Sequence, residues 1–401
     1  MVCGLKSQKA GRNCLIVSAG QNALHFSSGT FGLLGRLPDG TEVDEPLEAV
    51  GRLPEGHPYS KIGPERMKEY ASETIPFFAS CGVGLKGFGG KNGWRLTPTG
   101  TFKKAWLALE DVSFLPSKED ISGRKALIVN FESFIDFNTK FIAIGLENRG
   151  IECRMETLKL KEIDRLRKNP TEMRSVNIAR VMDREDNWKE FGKGVRSMMR
   201  DEDIVILPEV FGLENAKVAD WVGEMVNAKV FFVGTMPPSV PGIRAQMALK
   251  KAFEAAGGTF LMGDEAVNPA FENGKVKSVR TVNLGNIPLE AENFVLASGH
   301  LFGKGLVTTP GKVEEPVFGL DVDYPSDRSE WYDRDFFARQ NYIGFGVRTD
   351  SSFHALKEGE TISNLFVIGS ELGGCNSLYE GSGAGVAIMT AMRVADEIIG
   401  G

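Results

Sequence analysis

The chain has 401 residues, 42% apolar and 25% charged, with a formal net charge of −6. These values describe a globular protein of two or three domains with a sizeable core, and the acidic balance gives no ground for nucleic-acid binding. Five scattered cysteines without a C-x-x-C pair and four histidines without short spacing argue against a disulfide framework, an iron–sulfur cluster or a metal site.

In chain order, residues 2–10 read as the end of a helix stopped by Gly11, a good residue just past a helix end. Cys14 to Ser18 follow as a buried strand. Helix then strand is the second half of a β-α-β unit, so the chain is expected to begin inside a helix. The first strand and its G-x-G-x-x-G turn, roughly 15 residues, are then expected to lie upstream. Residues 36–60 are loop-like, 64–80 an amphipathic helix opened by Pro64, and 83–109 a hairpin turning near Thr99 and Gly100.

The middle alternates strands (126–131, 151–160, 203–211, 229–236) with helices (around 135–149, 171–199 and 214–227). That rhythm predicts a parallel sheet covered on both faces. A helix at 241–256, a strand TFLMGDEAV, a tight turn at Asn273-Gly274 and a buried strand at 293–299 follow. The expected organisation is a cofactor domain at 1–60, a helix and hairpin cap at 61–121, an inserted α/β domain at 122–240, and the cofactor domain resumed at 241–401.

Residues 364–399 carry the most chemistry. An apolar strand (Leu365 to Ile368) runs into a glycine-dense loop that opens a small-residue helix near Gly383. Glycines let the backbone approach a ligand, and a helix N-terminus offers N–H groups to an electron-rich one. Lying at the C-terminus, this unit predicts an α/β flavoprotein of the two-dinucleotide-binding-domain type. The expected cofactor contacts are Gly299, Gly369, Gly373, Gly374, Gly381, Ser382 and Gly383, with Ser27, Ser28 and Gly29 nearby. Glu380 is equally explained as a first-turn residue favoured by the helix dipole.

His25 follows the second strand and is the candidate for proton transfer, since its ordinary pKa lies near neutrality. Arg244, after the proline-stiffened PPSVPG turn, is the candidate for a substrate phosphate; Arg180 and Arg348 are weaker ones. The literal G-x-G-x-x-G at Gly82–Gly87 is rejected, because it follows a helix and leads into a non-helical loop. No apolar run reaches membrane-spanning length and VCGLKSQKAG lacks a signal-peptide core, so a cytoplasmic protein is expected.

HFSSGTFGLLGRLPDG, EGHPYS, NPTEMRSVNIAR, TMPPSVPGIR, LASGHLFGKGLV, SEWY and the C-terminal glycine cluster, in that order, resemble the B-subunit family of bacterial anaerobic sn-glycerol-3-phosphate dehydrogenases. The resemblance implies an FAD-dependent oxidoreductase fold, with a G-G-G-L-A-G turn preceding the segment that matches MVCGLKSQKAG. It also implies oxidation of glycerol 3-phosphate to dihydroxyacetone phosphate, with FMN as the family's cofactor and FAD as the alternative. Electrons would pass to a membrane quinone. The implied partners are an FAD-containing catalytic A subunit and an iron–sulfur C subunit that docks the pair on the inner face of the membrane. Two other readings stay open: a flavin dehydrogenase of an α-hydroxy or dicarboxylic acid, and a non-catalytic electron-relay or assembly subunit.

Overall fold

The structure, a computed structural model, describes all residues except 122–123 and 169–171. The domain boundary expected at 122, the helix start expected at 171 and the first residues of NPTEMRSVNIAR lie outside the described residues. The chain forms two compact units. One comprises Met1–Gln21, Phe31–Gly82 and Leu249–Gly401; the other comprises Asn22–Thr30 and Val83–Ala248.

The second unit is built on a four-stranded parallel sheet. Its spatial order is Lys229–Val233, Ile204–Pro208, Lys125–Phe131, Glu152–Leu158. The chain starts on the third of these strands, moves outward to the fourth, then crosses back to the second and first, so the winding reverses direction at Lys125–Phe131. The central strands are apolar runs because both faces are covered: Ile204–Pro208 is buried throughout, and the rings of Phe131, Phe191 and Phe211 pack together in the same core. The helix expected across 171–199 is two helices, Ser175–Met182 and Glu185–Met198. The break has a cause. The Asp183 carboxylate accepts the backbone N–H groups of Gly212, Leu213 and Glu214 at 2.8, 3.2 and 2.7 Å, and Arg184 is extended.

The rejected Gly82–Gly87 motif is structural. Gly82 takes φ +76° after the helix Pro64–Ala79. Leu85–Gly87 is a strand paired to Leu107–Leu109, and side chains at Gly84 or Gly87 would collide with Glu110 or Leu107.

In the first unit, Leu15–Ser18 pairs in parallel with Thr259–Met262. The strand expected to be buried is half-exposed, with Leu15 44% exposed. Among the described residues it is hydrogen-bonded along one edge only, so its apolar sequence is not matched by cover on both sides. TFLMGDEAV is not one strand: Gly263, at φ +79°, separates Thr259–Met262 from Ala266–Glu272. The Asn273-Gly274 turn forms as its residues dictate, with φ of +53° and +70°, joining Ala266–Glu272 to Lys275–Thr281.

A second parallel pair positions the site. Phe294–Leu296 lies beside Glu360–Val367, in register Phe294↔Leu365 and Leu296↔Val367. The last helix, Gly383–Gly400, buries Val386, Met389, Met392 and Val394 and packs on Val2–Lys9, Pro58–Ile62 and Pro64–Ala79. Among the described residues no helix is long and apolar enough to cross a membrane.

Candidate active site

Both strands of the second parallel pair end in glycine turns, Ser298-Gly299 and Gly369-Ser370. Gly299 and Gly369 take φ of +98° and +75°, a backbone region that strains residues with a Cβ. The turns are neighbours: the side-chain direction of Gly299 meets the Ser370 Oγ at 3.9 Å. Glu371 ties them together. Its Oε2 accepts Ser298 N–H at 2.8 Å and Gly299 N–H at 3.2 Å, and its Oε1 lies 2.8 Å from the Ser298 hydroxyl. The side chain is fully buried. Burial pushes its pKa up to about 8, against the hydrogen bonds from Ser298 and with help from the nearby Glu315. Burial thus favours the protonated form near neutral pH, while the Ser298 hydroxyl donates to the carboxyl at 2.8 Å.

The last helix begins at Gly383 without a side-chain cap. Its N-cap residue Ser382 spends its hydroxyl on Glu380 Oε2 at 3.0 Å. An uncapped N-terminus on a long helix keeps N–H groups available to an electron-rich ligand. Beneath it lies a buried polar knot. His57 Nδ1 accepts the Tyr59 N–H at 3.0 Å, so Nε2 carries the hydrogen that meets Glu380 Oε2 at 3.2 Å. Glu380 Oε1 accepts the Asn376 N–H at 3.0 Å. Burial acts to raise the Glu380 pKa, but His57, Asn376 and Ser382 outweigh it, and the carboxyl sits below its ordinary value. The front of the unit joins here: Gly35 and Arg36 N–H groups donate to the Glu380 carbonyl at 2.7 and 3.1 Å, and Tyr59 Oη donates to the Leu33 carbonyl at 2.7 Å.

The glycines expected to touch a cofactor divide into two kinds. Gly373 and Gly374 serve chain packing, since side chains there would press on Gly346 and on the Gly56 carbonyl. Gly299, Gly369, Gly381 and Gly383 meet nothing closer than 3.6 Å in their side-chain directions. The space beside these four backbones, at the carboxyl ends of two parallel strands and at the start of an uncapped helix, leaves main chain open to a ligand.

Of the remaining sequence candidates, all but Arg348 belong to the other unit. Gly29 is bare for packing reasons, because a side chain would strike Val112, Pro241 and Leu109. Ser27 and Ser28 precede it in the chain, with Ser28 half-buried. His25 closes a 3-10 turn capped by Asn22; burial holds its pKa below the usual imidazole value, against a hydrogen bond to Gln246. Arg244 is not presented as a free fork. Its guanidinium is paired with Asp111 and hydrogen-bonded to the Gly212 carbonyl, with both side chains mostly buried. Arg180 reaches Asn177, and Arg348 pairs with Asp323 on the surface.

Glu371, His57 and Tyr59 were not singled out by sequence reasoning, and the partners that give Glu380 its role were not foreseen. His300 was missed too. It follows Gly299 directly; its Nε2–H donates to the Phe345 carbonyl at 3.0 Å, which leaves the Nδ1 lone pair uncommitted. Burial lowers its pKa, against the Phe345 hydrogen bond. Its place just past the glycine that ends a parallel strand was the available signal. Among the described residues no group of three His, Cys, Asp or Glu side chains is arranged to hold a metal ion.

The parallel strands, the paired glycine turns and the open helix end define an α/β flavoprotein, and residues 1–386 match the FAD binding domain family. Within that class the chain belongs to the B-subunit family of anaerobic glycerol-3-phosphate dehydrogenases. It is 38% identical to the B subunit from Pectobacterium atrosepticum, across 100% of this chain and 96% of that one. It is 39% identical to that of Pectobacterium carotovorum, over the same shares of the two chains, and 34% identical to that of Vibrio cholerae, over 98% and 93%.

Proposed function

We propose that this chain is part of a multi-subunit dehydrogenase that oxidises sn-glycerol 3-phosphate to dihydroxyacetone phosphate, with a flavin held in the first unit. The observation that carries the reading is the unobstructed main chain at Gly299, Gly369, Gly381 and Gly383, together with the uncapped helix start at Gly383. When bound, the flavin, FMN or FAD, supplies the acceptor for the C2 hydride. The chain's own part is positional and electrostatic. The strand-end turns and the helix N-terminus face the cofactor, and the helix dipole favours negative charge there. Neutral Glu371 fixes the two turns without adding negative charge.

His300 is proposed as the group that takes the substrate's hydroxyl proton, through its uncommitted Nδ1; His25, from the sequence, is the alternative. His300→Asn is expected to lower turnover of glycerol 3-phosphate by about 10²–10⁴-fold with flavin content retained. Dye reduction by the protein reconstituted with its partner measures this. Turnover unchanged in His300→Asn and lost in His25→Asn would transfer the role. Dye reduction by an α-hydroxy acid but not by glycerol 3-phosphate would overturn the substrate.

The helix Val2–Lys9 and strand Leu15–Ser18 are read as the second half of a dinucleotide-binding β-α-β unit. The strand's half-exposed free edge supports a further strand pairing there. The proposed partners are an FAD-containing catalytic A subunit and an iron–sulfur C subunit that holds the assembly at the inner face of the membrane and leads electrons to quinone. Phe336 and Phe337, 83% and 92% exposed and packed edge to face, support a protein-docking surface on the first unit.

A further inference from the structure

Three remote stretches of the first unit bring two arginines to one tyrosine. The Arg36 and Arg339 guanidinium carbons lie 5.3 and 5.1 Å from the centre of the Tyr379 ring. Main-chain contacts fix this meeting. Arg36 N–H donates to the Glu380 carbonyl at 3.1 Å, and the Asn376 side-chain amide donates to the Gln340 carbonyl at 3.0 Å. Both arginine-bearing stretches are thereby tied to residues 376–380. Arg339 Nη1 also donates to the Pro38 carbonyl at 2.9 Å, which joins the two stretches to each other.

Little on the protein neutralises the pair. Glu42 stands opposite Arg36 across a β-bridge, yet their nearest nitrogen and oxygen are 3.8 Å apart, beyond hydrogen-bond length. The two side chains are 42% and 60% exposed, and an exposed pair of this kind contributes little. Among the described residues Arg339 makes no ion pair, and the Pro38 carbonyl takes one of its five donors. A ring attracts a cation without cancelling its charge. Two guanidinium groups at one ring repel each other, and a shared anion relieves that cost. Both forks reach solvent, so they can turn onto one ligand.

The pair also lies beside the open main chain of the same unit. Gly35, the residue before Arg36, is the nearest neighbour of the Gly381 side-chain direction, at 3.8 Å. Tyr379 precedes Gly381 by two residues.

We propose that Arg36 and Arg339, with the Tyr379 hydroxyl as a further donor, bind a phosphate monoester. Planar guanidinium forks suit the dianion's oxygens, which accept two parallel N–H groups from each. This deepens the proposed function and rests on it for the organic part of the ligand. Two phosphate monoesters belong to that function, glycerol 3-phosphate and FMN. Arg244 does not share the role, since it is already held by Asp111.

The test titrates the full chain with inorganic phosphate, glycerol 3-phosphate and glycerol by calorimetry. Wild type is expected to bind both phosphates, more weakly as salt rises, and to leave glycerol unbound. Arg36→Gln and Arg339→Gln are each expected to weaken phosphate binding by about tenfold or more, with Arg339→Lys intermediate. Both side chains reach solvent, so the variants are expected to fold and to melt close to wild type. Phosphate binding within about twofold of wild type in both Gln variants would overturn the clamp. A raised KM for glycerol 3-phosphate in the reconstituted enzyme, with FMN content retained, assigns the clamp to the substrate. FMN lost from the variants, with riboflavin binding unchanged, assigns it to the cofactor. An unchanged KM together with unchanged FMN content would overturn the proposal even where free phosphate binds more weakly. Weakened phosphate binding in the variants, with no turnover of glycerol 3-phosphate by reconstituted wild type, keeps the clamp and removes the function.

Discussion

Glu380→Ala is expected to destabilise the first unit by about 3–5 kcal/mol, the cost of breaking a buried, hydrogen-bonded pair. His57 and Glu380 are 0% and 1% exposed. The substitution strands the His57 Nε2–H, the Asn376 N–H and the Ser382 hydroxyl, all of which point at the lost carboxylate. Glu380→Gln keeps the volume but places an amide NH₂ against these donors, so most of the loss remains. Urea unfolding of the two variants against wild type measures this; a change under about 1 kcal/mol in both would refute the knot as a structural centre. The pH dependence has a definite sign. The folded Glu380 carboxyl lies below its ordinary value of 4.5, so its contribution is present above that value. The contribution is lost as pH falls through the folded pKa.

Glu371→Gln is expected to have the opposite effect. In the folded chain Glu371 holds its proton up to about 8, against 4.5 ordinarily. The folded state therefore binds more protons between those values, and stability falls as pH rises across the interval. Taken over its full width the linkage is worth at most about 5 kcal/mol. A glutamine reproduces the neutral acid: its oxygen accepts Ser298 and Gly299 N–H groups, and its NH₂ donates to the Ser298 hydroxyl. The variant should match wild type near pH 5, exceed it above pH 8 by about 2–5 kcal/mol, and retain flavin. Unfolding curves at the two pH values, compared between wild type and variant, check this. A parallel fall of both proteins with pH would show that Glu371 is ionised.

Local chemistry made much of this legible. The alternating strands of the second unit, the Asn273-Gly274 turn and the helix at Gly383 each follow from patterns within about ten residues of sequence. Breaks set at a distance were not legible. Helix 171–199 divides because Asp183 is needed by backbone at 212–214, which nothing near Asp183 announces. Leu15–Ser18 has the apolar content of a buried strand, and only its pairing along one edge leaves it half-exposed.

The candidate site divides in the same way. The open backbones at Gly299, Gly369, Gly381 and Gly383 sit at strand ends and a helix start that local sequence shows. The sequence does not show that Gly373 and Gly374 pack against Gly346 and Gly56, because those neighbours are remote. His57 and Glu380 are separated by 323 positions, and each alone reads as a helix-start residue. Glu371 sits in a glycine-rich loop that looks solvent-facing until Ser298 is brought to it.

The central claim is that the N-terminal turn of the last helix and the strand-end glycines hold a flavin. Gly383→Leu tests it most directly, because no positive φ strains a side chain there and the nearest atom, Ser377 Cβ, is 3.6 Å from its Cβ position. Flavin bound per chain should be measured after reconstitution with FMN or FAD, with the released cofactor identified by chromatography. Wild type should hold roughly one flavin per chain, and the variant, melting within a few degrees of it, should hold almost none. A variant that keeps the full complement would place the cofactor elsewhere and contradict the account.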